Sequence, residues 1–119
     1  EITDITPFLT AVPAAQASED DRQKYFEMVW NASVKENFLN ITDCNPSPKI
    51  LRVKEGTYFF ISNQGKEPQS LVVDLDHIYS VEPNGVKTVN ARFGKGIGLY
   101  GYGCGDSEDI SGLIFVTKD

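Results

Sequence analysis

The stretch "GLYGYGCGDSEDISGLIFVTKD", residues 98–119, carries an aromatic-glycine run, a lone Cys104, an acidic loop and a short closing strand. The glycines read as close-packed or bulged positions between Tyr100 and Tyr102, and the tyrosines as core or cross-strand packing. A cysteine at a strand end, followed by a loop, a glycine and another strand, leaves three fates for Cys104. It binds metal, it pairs with another cysteine, or it does neither.

Working outward, residues 37 to 119 keep a strand character. "NFLNITD", "KILRVKEG", "GTYFFISNQ", "QSLVVDLDHIYSV" and "KTVNARF" are short and rich in β-branched and aromatic residues. With "GLYGYGC" and "GLIFVTK" they make seven strands, separated by turn signals such as Lys54-Glu55-Gly56, Asn63-Gln64-Gly65 and Pro83-Asn84-Gly85. That spacing predicts an antiparallel sandwich or Greek-key barrel.

Residues 1–36 differ. Pro7 and Pro13 interrupt "EITDITPFLTAVPAAQA", which predicts an extended arm or edge strand. Ser18 then opens a helix whose first turn is acidic, with Asp21 in the glutamate place of a capping box. Tyr25, Phe26, Val29 and Trp30 recur at helical spacing, a stripe expected to pack on the core. The chain therefore divides into an arm plus helix, residues 1–36, packed on a β-domain, residues 37–119.

A length of 119 residues suits a single modest core. A net charge of −6 without a Lys/Arg cluster argues against nucleic acid as a partner, since phosphate binding needs a basic face. No apolar run approaches the roughly 18 residues of a membrane span. Ala15-Gln16-Ala17 looks like a cleavage site, but no basic start precedes it, so the chain reads as mature. Asn31-Ala32-Ser33 and Asn40-Ile41-Thr42 are glycosylation sequons, which makes Asn31 and Asn40 candidates in an exported protein.

Several chemistries lack support. Gly96-x-Gly98-x-x-Gly101 matches a dinucleotide fingerprint formally, but a strand follows it where the pyrophosphate needs a helix N-terminus. Asp106, Glu108 and Asp109 lack the alternating ligands of a calcium loop. Ser107 sits in no nucleophile elbow, and Cys104 has no histidine placed as its base. No enzyme is expected.

Residues 44–116 resemble a cupredoxin. "NPSPKILRVKEGTYFFISNQGKEPQSLVVDLD" is similar to that family's early core, and "VEPNGVKTVNARFGKGIGLYGYGCG…GLIFV" to its second half. The resemblance implies a mainly β, Greek-key β-sandwich with one N-terminal helix added. It also implies a copper site of two imidazoles, a thiolate and a weak axial ligand. In that pattern a histidine follows the proline of the third segment; here Gln69 follows Pro68. Cys104 is present, "GDSEDI" after it holds no histidine, and the axial methionine position is Ile110. His77 lies eight positions beyond Gln69, which on one uninterrupted strand is about 26 Å away.

The same topology brings Cys44, in the entry segment "DCNPSPK", to the pole that carries Cys104. A Cys44–Cys104 disulfide is implied, stabilising the fold by about 4 kcal/mol on the chain-entropy model. The alternatives are two thiolates holding Cu(I), and two independent thiols. The expectation is a non-catalytic structural or assembly module, extracellular, cell-surface or periplasmic, without a cofactor. Residues 1–13 are a candidate for strand addition to a neighbouring subunit, as in a filament. A copper-binding protein using Cys104 and Cys44 is the alternative.

Overall fold

A computed structural model describes residues 4–14, 16–74, 77–105 and 109–118. Two helices precede ten strands among the described residues: α1 (Thr6–Thr10), α2 (Glu19–Ala32), β1 (Val34–Lys35), β2 (Phe38–Thr42), β3 (Asn45–Ser47), β4 (Ile50–Lys54), β5 (Tyr58–Asn63), β6 (Gln69–Val73), β7 (His77–Val81), β8 (Val86–Asn90), β9 (Gly98–Cys104) and β10 (Gly112–Thr117). One sheet runs β1-β4-β10-β9-β6-β7 and the other β3-β2-β5-β8. The two face each other as a sandwich. The sheets are mixed, since β4 pairs in parallel with both β1 and β10, and β2 in parallel with β5.

Alternation along each strand builds the core. Leu39 and Ile41 from β2, Phe59 and Ile61 from β5, Leu71 and Val73 from β6, and Tyr100 and Tyr102 from β9 all point between the sheets. Tyr102 packs so closely on the start of β10 that a Cβ at Gly112 would collide with its hydroxyl. A glycine is therefore required at that closing position.

A second cluster covers the outer face of the larger sheet, joining Ile50 and Leu113 to Ile5, Phe8, Tyr25 and Val29. The N-cap half of the expected capping box forms, the Ser18 hydroxyl accepting from the Asp21 N–H at 3.1 Å. Of the helical stripe, Tyr25 and Val29 are buried. Phe26 and Trp30 stay exposed at the margin, where both rings approach Phe115.

Two local expectations are corrected. The extended arm is a helix over Thr6–Thr10. Pro7 sits in its first turn, where the missing N–H would have had no partner. Asp4 accepts from the Thr6 N–H at 2.9 Å, and Tyr25 donates to the Phe8 carbonyl at 2.8 Å. The segment "QSLVVDLDHIYSV" is a hairpin rather than one strand, with Val73 opposite His77 and Gln69 opposite Val81. Asp74 provides the bend at φ 52°, a left-handed conformation that Asp tolerates better than most side chains.

Candidate functional site

Three side chains converge at the pole where β9 ends. Cys104 lies opposite Leu71 of β6, and Gln69 stands two residues before Leu71, so alternation sends both side chains inward. The third comes from the β2–β3 hairpin. Thr42 pairs with Asn45, leaving Asp43 and Cys44 as a two-residue turn with φ of 50° and 66°. Positive φ at both central positions matches the twist of the flanking strands. It also aims Cys44 across the pole.

Cys44 and Cys104, 60 residues apart in sequence, form a disulfide with their Cα atoms 5.7 Å apart. Cys104 is buried, whereas Cys44 is exposed. Gln69 fills the space beside the bridge. Its Oε1 accepts from the Cys44 N–H at 3.1 Å and lies 3.0 Å from Cys44 Sγ and 3.1 Å from Cys104 Sγ. Neither sulfur in the disulfide carries a proton, so the latter two are close contacts rather than hydrogen bonds.

The loop delivering Gln69 is itself anchored. Asn63, fully buried at the end of β5, donates to the Glu67 carbonyl at 2.8 Å and the Val81 carbonyl at 2.9 Å. Its side-chain Oδ1 accepts from the Gly65 N–H at 2.9 Å. In the sequence Asn63 stood out only as part of the turn signal Asn63-Gln64-Gly65. Its role as the clamp of the β5–β6 loop is visible only in three dimensions.

The remaining candidates lie elsewhere. His77 bonds the Phe93 carbonyl through Nε2 at 3.0 Å and meets the Phe93 ring edge-on at 5.7 Å. It begins β7 at the opposite end of β6 from Gln69, about 13 Å along that strand. Ile110 packs over Gly101 on the helix-covered face, away from the disulfide. Asn31 is exposed near the end of α2, and Asn40 is half-exposed on β2. Asp106, Ser107 and Glu108 lie outside the described residues. No group of three or more His, Cys, Asp or Glu able to hold a metal occurs among the described residues.

The donors therefore do not fit a mononuclear blue-copper centre. That site needs a free thiolate and two imidazoles. Here the sulfur of Cys104 is bonded to Cys44, an amide stands at Gln69, and Ile110 has no donor atom.

No protein-family profile matches the chain, and no curated protein matches it. Solved structures do. A purple cupredoxin from Nitrosopumilus maritimus superposes with a TM-score of 0.54 at 15% identity, over 69% of this chain and 100% of that one. A copper-containing nitrite reductase from Thermus scotoductus SA-01 gives 0.57 at 13% identity, over 76% of this chain and only 29% of the enzyme. An amicyanin variant gives 0.53 at 16% identity, over 67% of this chain and 80% of that one. At such identities the likeness speaks to fold alone, and it agrees with the two-sheet architecture: this chain has the cupredoxin-like fold.

Proposed function

We propose that the chain is a non-catalytic, cupredoxin-like structural module of an exported protein, in which a disulfide braces the pole that would otherwise hold copper. The observation that carries this reading is the bond between Cys104 and Cys44, with Gln69 Oε1 against both sulfurs. A bridge of this kind persists in an oxidising compartment, which supports an extracellular, cell-surface or periplasmic setting. The test is spectroscopic. Purified oxidised protein given Cu(II) stays colourless at about 600 nm, and a strong thiolate-to-copper band there overturns the reading.

The convergence of two sulfurs and one amide oxygen favours a second reading after reduction. Freed thiolates of Cys44 and Cys104 would form a soft site suited to Cu(I). Competition with a Cu(I) chelator, before and after reduction, separates the two readings. Self-association through residues 1–13 requires more than an edge strand. Ile5 and Phe8 are buried against the chain's own α2, so strand addition must first undock α1. Comparing the size of the full chain with one lacking residues 1–13 decides that point; two monomers leave the segment a local brace.

A further inference from the structure

Among the described residues, the helices cover one face of the sandwich and leave the opposite face bare. On the outer side of the smaller sheet, β2 presents Phe38, Asn40 and Thr42, while β5 presents Tyr58, Phe60 and Ser62. Phe38 stands directly beside Phe60, and Asn40 lies between Ser47 of β3 and Ser62 of β5. Phe38 is 36% exposed, Phe60 38%, Tyr58 61% and Val86, on the neighbouring strand β8, 62%. An exposed apolar cluster of this extent on a sheet face calls for something to cover it.

The sequon supplies the cover. Asn40 sits in the middle of this face, with small serines on both flanking strands and Thr42 on the same side. Phe38, two residues earlier, projects from the same face about 7 Å along the strand. We infer that Asn40 is an N-glycosylation site whose first sugar residues lie across the ring faces of Phe38 and Phe60. The inference rests on the export proposed above.

In the transfer step, Asn40 Nδ2 attacks the anomeric carbon of a polyprenyl-pyrophosphate-linked oligosaccharide. The N–C bond forms as the C–O bond to pyrophosphate breaks, the lipid pyrophosphate leaves, and the amide proton passes to a base of the transferase. The sugar then presents polarised C–H bonds to aromatic faces that carry negative charge density. Asn31 has no comparable platform. It follows Trp30, one face of which is taken by the Arg52 guanidinium at 4.0 Å, and the Ser33 hydroxyl of its sequon is bonded to the Trp30 carbonyl at 2.7 Å.

The experiment places the full chain behind a secretory leader in a glycosylating eukaryotic host and maps its glycopeptides. Melting temperatures are then compared with and without Asn40→Gln, in the native, Phe38→Ala and Phe38→Leu backgrounds. The expected result is a glycan on Asn40 that raises Tm by about 4 °C with Phe38 and less than half as much in either Phe38 variant. Phe38→Leu keeps apolar cover without a ring face, so it separates stacking from simple burial. Asn31→Gln leaves the Phe38-dependent gain unchanged. An unmodified Asn40, beside a control sequon that is occupied, overturns the assignment; so does a Tm gain independent of Phe38. Because the leader imposes export and the thiol and copper titrations read the cysteines rather than the glycan, this failure is distinguishable from failure of the disulfide-braced reading.

Discussion

Tyr102 shows how one residue ties the disulfide pole to the core. Its ring is buried between the sheets, yet its hydroxyl has no hydrogen-bond partner among the described residues. Burial pushes its pKa far above the usual 10.0, because the phenolate would have to lose its hydration. Replacing the hydroxyl by hydrogen removes an unsatisfied polar atom without opening a large void. Tyr102→Phe is therefore expected to raise stability by about 1 kcal/mol in denaturant unfolding. A marked loss would reveal a partner that the hydroxyl depends on. The tyrosine and the following cysteine were both legible as strand positions from their alternation with glycine. Nothing in that alternation signalled that the hydroxyl would be stranded.

At the scale of elements, legibility followed local chemistry. The α2 cap was readable because the Ser18 hydroxyl and the Asp21 N–H lie within one turn of each other. Ser18→Ala should cost about 1 kcal/mol, read as a lowered denaturant midpoint with an unchanged m-value. The hairpin at Asp74 and the helix at Thr6–Thr10 were not readable in the same way. Asp74 adopts positive φ without the glycine that usually advertises it. Pro7 reads as a helix breaker until its place in the first turn is known. In both cases the residue permits two conformations, and packing selects one: the β6–β7 pairing for Asp74, and the contacts of Ile5 and Phe8 with α2 for the arm.

Across the whole molecule, the disulfide joins the smaller sheet's hairpin to the end of β9 in the larger sheet. With the cysteines 60 positions apart in sequence, removal of the bridge by a Cys44→Ser/Cys104→Ser double variant should lower stability by about 4 kcal/mol. Thiol counting in denaturant provides the companion check, since two titratable thiols in unreduced protein would remove the bridge from the account. The tyrosines also set a limit on alkaline stability. Tyr102, Tyr25 and Tyr79 all have folded-state pKa values raised by burial. Their contribution is complete below the unfolded value near 10 and is lost as pH rises through and beyond it. Melting temperature should therefore fall between about pH 9 and about pH 11, and less steeply in Tyr102→Phe. An identical slope in that variant would exonerate Tyr102.

The sequence by itself determined the strand character of residues 37–119, the capped helix α2 and the absence of the copper family's imidazoles, because these depend on periodicity and residue identity. Tertiary structure decided which strands pair in parallel, that β6 and β7 fold back on each other, and that α1 docks rather than extends. It also decided the use of Gln69. By composition that residue is only a missing histidine. In the fold it is the acceptor that holds the Cys44 turn against the bridge to Cys104. Such a role comes from contacts between distant segments, and local residue preferences carry no record of which distant segments will meet.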